Sequence, residues 1–395
     1  MNNRTFVSLV VVLAVLVGLI ALSRKKAAPT STGVVGRTGV AVLADLDLNR
    51  IEKIRLAKQG QTVEVARRDG KWVVPSLFGY PADYEKVVRS LRELGDLKVG
   101  QTVREGEKFL GDFGLPGGTN TAPESRVVTL FDGKDQSLAA LNIGNEFALS
   151  GGGEFGGGEG RYVRSGNGPV VVVKESLGEL TTQNNDWVKR DLTSVASADL
   201  VNIEARVSNE VQRVAVLGIE QFKVEGLKEG EEINKDNASK LAAALSNLQF
   251  SNVADIAQKP SELGLEKADT VVFKTKDGRT YTVQLGSVSA ADSGRYAKLA
   301  VTYQKPAPPP LPPIPTTTNK VEIAQATNEV ARLLKDFENT ASKTAEKAMQ
   351  ESRLFGAWTY VLQSSDCDNL AMTRSRLVKA SEKKPEPKKD AKPTK

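Results

Sequence analysis

The sequence predicts an α+β protein: an N-terminal transmembrane helix, then two tandem duplicated modules of antiparallel sheet with one main helix each, plus a long C-terminal helix and a disordered tail. Three observations predict it. An uncharged apolar run, residues 5–22, leads the chain. Six landmarks recur in the same order in two successive stretches. A stretch with seven prolines among residues 306–315 then divides those stretches from a helix-patterned C-terminal region.

The leading run (TFVSLVVVLAVLVGLIAL) follows Arg4 and precedes Arg24, Lys25 and Lys26. As a helix at about 1.5 Å per residue it spans roughly 27 Å, close to the hydrocarbon thickness of a bilayer. A cleaved signal peptide is the competing reading, since Ala21-Leu22-Ser23 loosely fits a small-x-small site. The Arg-Lys-Lys that follows is a poor cleavage context, so residues 1–26 are expected to stay as an anchor. The cations on either side favour neither orientation. Long downstream domains translocate largely regardless of local charge, so the body is expected outside the cytoplasm. Residues 27–44 read as a linker.

The first module covers residues 45–183. Alternating segments at 51–57 and 62–68 lead to an Asp69-Gly70 turn and a short strand at 71–74. A helix follows, opened by Pro81-Ala82-Asp83. Val87, Val88, Leu91 and Leu94 lie on its inner face, and Gly95 is placed as a C-cap glycine. Phe113-Gly114-Leu115-Pro116 then turns the chain into strands at 126–131 and 138–143, joined through Asp132-Gly133. Gly160-Arg161-Tyr162-Val163-Arg164 and the apolar run 170–173 complete the module.

The second module, residues 184–303, repeats that order. Strands read at 200–207, 211–216 and 222–225, and a helix at 234–248 with Leu241, Leu245 and Leu248 inward. Leu263-Gly264-Leu265 stands where Phe113-Gly114-Leu115 stood. Strands at 270–273 and 281–285 flank Asp277-Gly278, and Gly294-Arg295-Tyr296-Ala297 echoes the earlier Gly-Arg-Tyr. Leu91 and Leu245, like Leu94 and Leu248, are expected to be equivalent inward positions.

Residues 304–318 read as a semi-rigid polyproline linker. The C-terminal region, 319–380, opens with a helix at 320–353. Ile323, Ala326, Val330, Leu333, Phe337, Ala341, Thr344 and Ala348 lie on one stripe of near-heptad spacing. Docking on the chain's own modules fits this stripe, and so does a coiled coil with a partner. A strand at 355–362 and a short helix at 366–379 follow. Residues 381–395, with six lysines and three acids, form a disordered basic tail.

Charge and composition narrow the function classes. The chain carries +6 in 395 residues, but the anchor flanks and the tail supply it. The body is left near neutral, without the basic stripe that a nucleic-acid surface needs. The absence of histidine removes Ser-His-Asp and Cys-His catalysis, the common zinc sites and the usual proton shuttle. A single cysteine, Cys367, rules out an intramolecular disulfide.

The individual motifs point to structure. Gly151, Gly153 and Gly156 match G-x-G-x-x-G, but a strand follows where a dinucleotide site needs a helix. Asp45-Leu46-Asp47-Leu48-Asn49 starts like a calcium loop, yet Arg50 and Leu56 occupy the positions that need Gly and a bidentate Glu. Ser-x-x-Lys occurs at Ser23–Lys26 and Ser381–Lys384, a membrane flank and a tail. Asp366-Cys367-Asp368 is a thin metal-ligand set. The paired Gly-Arg-Tyr segments fit strand faces, with equivalent contact points for a partner as the functional alternative. No catalytic, cofactor-binding or metal-ligating residue is assigned, no cofactor is expected, and no small-molecule substrate is evident.

The Asp45-Leu46 start, Asp69-Gly70-Lys71-Trp72-Val73-Val74, Pro81-Ala82-Asp83, Arg161-Tyr162-Val163 and Trp187-x-x-x-Asp191-Leu192 before Asp199-Leu200 together resemble the bacterial family called domain of unknown function 4340. The likeness covers roughly residues 40–303. It implies association: such proteins are similar to membrane-anchored partners of gliding-motility-type ABC exporters, with no catalytic residues to carry over. The expectation is therefore a non-catalytic, single-pass protein of the bacterial inner membrane, held through residues 5–22. Its periplasmic or extracytoplasmic body would bind or brace transporter subunits or an envelope complex. An envelope scaffold or polymer-binding protein without a transporter partner is the alternative, and a carboxylate-dependent hydrolase a third class.

Overall fold

The computed structural model describes residues 38–104, 106–117, 125–148, 159–290, 293–316 and 319–381. The expected anchor, residues 5–22, lies outside these. Among the described residues no helix is long and apolar enough to cross a membrane. The fold is mixed α+β, mostly antiparallel sheet with few helices, one of them long and C-terminal. The chain divides into two compact units between Lys189 and Arg190. Trp187, expected to open the second module, is fully buried in the first, its indole N–H donating to Thr181 O at 3.0 Å.

The first unit contains β1 Lys53–Lys58, β2 Gln61–Arg68, β3 Lys71–Val74, β4 Tyr80–Pro81, α1 Tyr84–Asp96, β5 Gln101–Thr102, β6 Arg126–Phe131, β7 Ser137–Ala148, β8 Glu159–Ser165 and β9 Val170–Val173. Its strands form one nine-stranded sheet in the order β4-β3-β2-β1-β6-β7-β8-β9-β5. Alternation places Ile54 and Leu56 of β1 in the core while Lys53 and Arg55 face outward. Asp69 and Gly70 both have positive φ, the backbone that a two-residue hairpin loop requires. Asp83 caps α1 by accepting from the amides of Glu85 and Lys86, and Val87, Leu91 and Leu94 are buried. Gly95 is not a cap: the helix runs on through Asp96. A Cβ at Gly95 would sit 3.1 Å from a Leu48 methyl, so its small size serves packing.

The second unit contains β10 Asp191–Thr193, β11 Leu200–Val207, β12 Glu210–Gly218, β13 Gln221–Val224, β14 Glu231–Ile233, α2 Lys235–Ala243, β15 Leu248–Val253, β16 Asp269–Thr275, β17 Arg279–Val288, β18 Arg295–Tyr303, α3 Lys320–Ala357, β19 Tyr360–Leu362, α4 Ser364–Leu370, α5 Arg374–Leu377 and β20 Val378–Ala380. Its main sheet reads β13-β12-β11-β16-β17-β18-β19-β15-β10, and β14 pairs separately with β20. Both nine-stranded sheets thus visit their strands in closely matching order. The strand beside β8 is β9, and the strand beside β18 is β19. Each is buried along its whole length, as a strand covered on both faces must be.

Three expectations are corrected here. The region 319–380 is not separate from the second module, because β19 fills a central place in its sheet. Residues 355–357 belong to α3, and residues 366–379 divide among α4, α5 and β20 instead of forming one helix. Finally, α2 ends at Ala243, and Leu248 opens β15. The carbonyl of Leu245 accepts from Val195 N and Thr193 Oγ1, at 2.9 Å each, and is thereby committed to sheet-edge bonding. Counting from the N-caps Asp83 and Asn234, Leu94 corresponds to Leu245 and Leu97 to Leu248. All four are buried.

Candidate functional site

The paired Gly-Arg-Tyr segments are built alike, and both are spent on their own sheets. The register of β7 on β8 shifts between Ile143 and Glu146, and that of β17 on β18 shifts between Leu285 and Val288. An arginine fills each bulge. Arg161 donates to Gly144 O at 3.0 Å and to Glu146 at 2.6 Å. Arg295 donates to Gly286 O at 2.9 Å and to Asp269 at 3.0 Å. Gly144 and Gly286 lie so close to the carbonyls of Phe113 and Leu263 that a Cβ would overlap them. The loops Phe113-Gly114-Leu115 and Leu263-Gly264-Leu265 are seated there. Gly160 and Gly294 crowd the carbonyls of Val173 and Leu362 in the same way. Tyr162 packs 4.5 Å from the ring of Phe113, and burial pushes its phenol up. These arginines turn inward, so the alternative that they are partner contacts gains nothing from their geometry.

The most connected polar cluster among the described residues fastens α3 to the second sheet. Arg279 pairs with Asp277 at 2.9 Å and donates to the Tyr281 hydroxyl at 2.5 Å; Tyr281 donates to Glu351 of α3 at 2.9 Å. Burial, reinforced by Glu351, holds the Tyr281 phenol far above its ordinary range. Burial alone would raise Asp277, but hydrogen bonds from Arg279 and Thr275 outweigh it and bring the carboxyl below its usual value. A phenol locked neutral between a guanidinium and a carboxylate positions a helix; it is a poor nucleophile or base. Two lysines extend the attachment. Lys305 pairs with Glu338 at 2.6 Å, and Lys298 donates to Gly356 O and Trp358 O at 2.8 and 2.9 Å, a cation on the helix C-terminus. Sequence reasoning missed this cluster, since Glu351 lies 70 positions from Tyr281 and no spacing rule joins them.

A cleft of about 710 Å³ runs along α1 between Tyr84, Val88, Arg92 and Glu93. Its carboxylates are largely committed: Glu179 pairs with Arg89 at 3.1 Å and Glu85 with Lys189 at 3.2 Å. Glu93 is raised by burial first, then by Glu175 and Glu179.

The remaining sequence motifs are accounted for singly. Asp47 accepts from Asn49 N and caps a short turn of helix, as a strand-entry residue would. Cys367 is buried at the middle of α4, its thiol pushed up by burial. Among the described residues no group of three or more His, Cys, Asp or Glu could hold a metal ion. Gly151, Gly153, Gly156, Ser23–Lys26 and Lys384 lie outside the described residues.

A family model described as a domain of unknown function (DUF4340) matches residues 72–268, from β3 to the residue before β16. The chain belongs to that family. The match lies within the 40–303 over which the landmarks resemble DUF4340, and it crosses the boundary between the two units. No curated protein and no solved structure matches the chain.

Proposed function

We propose that this DUF4340 protein is a non-catalytic, single-pass inner-membrane protein whose body, outside the cytoplasm, binds or braces an ABC-type exporter or envelope complex. The anchor in this reading is residues 5–22, and the body is a tandem duplication. Supporting the duplication are the matching strand order, the matched burial of Leu94 and Leu245, and the arginine-filled bulges at Arg161 and Arg295. The observation that carries the reading is how the polar groups are used. The arginines and carboxylates that sit in bulges and networks brace the fold itself, while the second unit extends a proline-rich and helical arm where the first has a short turn.

The test is affinity purification of the full chain from detergent-solubilised membranes. Integral subunits of a transporter should co-purify with it in fixed proportion. Recovery of soluble proteins only would count against the proposal. The extended proline-rich stretch, residues 304–316, favours the alternative of an envelope scaffold, which co-purification of envelope polymer without transporter subunits would select.

A further inference from the structure

In the first unit β8 passes to β9 through residues 166–169. In the second, β18 reaches its counterpart β19 only after residues 304–359. The inner part of that arm serves the fold. Ala341, Ala348 and Phe355 are buried at seven-residue spacing, and Glu351 and Lys298 hold the same stretch of α3 down. The outer part is held less closely. Ile323, Ala326, Val330, Leu333 and Phe337 carry the heptad pattern onward, and all five stay only half-buried, Phe337 with the Lys305 ammonium over its ring. An apolar stripe that is an interface over its inner length thus continues past the fold.

The proline-rich stretch accompanies it. Pro306, Ala307 and Pro309 share a cavity of about 270 Å³ with Phe337, Thr340 and Ala341. At about 3.1 Å per residue, residues 307–316 extend roughly 31 Å. The helix from Phe337 back to Lys320 is roughly 26 Å at 1.5 Å per residue. The stretch thus has the reach to return the length of the outer helix, and its Leu311 is 37% and Ile314 49% exposed.

We infer that the outer half of α3, residues 320–337, is a docking surface for a helix of another protein that carries basic residues along one flank. In heptad terms Ile323, Val330 and Phe337 take the a positions, and Ala326 and Leu333 the d positions. Every g position along this length is acidic: Glu322, Glu329 and Asp336. The e positions that parallel pairing sets opposite these acids, Thr327, Leu334 and Ala341, are uncharged, and Lys320, the e position at the helix start, has no acid opposite it. A second copy of this chain is a poor occupant. Antiparallel pairing sets carboxylate against carboxylate, and parallel pairing sets each carboxylate against an uncharged residue. A partner with lysine or arginine along that flank meets all three acids. Arg332 bridges Glu329 and Asp336 at present, but it is 62% exposed in its side chain, and such surface pairs exchange readily. This inference stands whether or not the partner belongs to a transporter.

The test uses the full chain in detergent and two labelled three-heptad synthetic helices with identical apolar seams, one flanked by Lys and the other by Glu. Fluorescence anisotropy should show the Lys-flanked helix binding and the Glu-flanked helix about tenfold weaker, the sum of three helix-flank charge pairs. Leu333→Asp should abolish binding without moving Tm. The combined Glu322→Lys, Glu329→Lys and Asp336→Lys variant should reverse the preference. Equal binding of the two helices, no binding of the Lys-flanked one, or self-association of the chain through this stripe in sedimentation would overturn the inference.

Discussion

The first unit turns from β8 to β9 in residues 166–169, whereas the second spends residues 304–359 on the equivalent connection. The contrast separates what the fold requires from what has been added to it. Both β9 and β19 are buried on both faces, and both receive a crowded glycine, Gly160 or Gly294, against a carbonyl. The sheet needs that strand in either unit. It does not need the outer half of α3, which extends beyond the residues that cover the second unit's core.

The largest effect should come from the inner half of the arm. Phe355→Ala removes a fully buried ring packed edge-on to Tyr360, and should cost about 3–5 kcal/mol in urea unfolding. Leu333→Ala, on the outer half, should stay within about 0.5 kcal/mol. Equal costs would mean that the whole helix is docked, and the contrast would collapse.

Next come the helices. Leu94→Ala and Leu245→Ala should each cost about 2–5 kcal/mol, and Arg92→Ala and Asn247→Ala less than about 0.5 kcal/mol. A neutral Leu245→Ala would break the correspondence between the units. Gly144→Ala and Gly286→Ala should both destabilise by about 1–3 kcal/mol, because a Cβ at either meets a loop carbonyl, Phe113 O or Leu263 O, that the amide of Asn145 or Ser287 holds in place. If only one of them is destabilised, the two bulges are not the same device.

The smallest effect concerns the hairpin turns. The backbone amide of Gln136 holds the Asp132 carboxyl below its usual range, and Asp277 ends below it through Arg279 and Thr275. A carboxyl depressed in the folded state contributes stability that is full above the unfolded value, near 3.8, and is lost as pH falls through the folded one. Asp277→Asn and Asp132→Asn should therefore both flatten the acid limb of the stability profile. Asp277, whose carboxylate is bonded by both the Arg279 guanidinium and the Thr275 hydroxyl, should show the larger change. No flattening in either would mean that these turns are not braced by charge.

Much of this architecture is legible in the sequence. Alternation marks β1 and β2, Asp69-Gly70 marks the turn from β2 to β3, and Pro81-Ala82-Asp83 marks the start of α1. The helix register in the second unit is not. Leu241, Leu245 and Leu248 fit a helical stripe, but tertiary bonding to Val195 and Thr193 draws Leu245 out of the helix and Leu248 into β15. The place of β19 is hidden for another reason: its neighbour β18 lies across the whole arm. One signal does exist. A second Gly-Arg-Tyr implies a second crowded carbonyl, and hence a second strand equivalent to β9. Of the α3 attachment, only the apolar stripe is readable, because Arg279, Tyr281 and Glu351 meet through the fold alone.

Amide hydrogen exchange of the intact chain, followed by mass spectrometry, tests the central claim most directly. A strand integral to its sheet opens only with the whole unit, whereas an undocked helix opens locally. Residues 360–362 should exchange as slowly as residues 170–173, and residues 320–336 far faster than residues 341–355. Fast exchange at 360–362, or uniform protection along α3, would contradict the account of a completed sheet with an added arm.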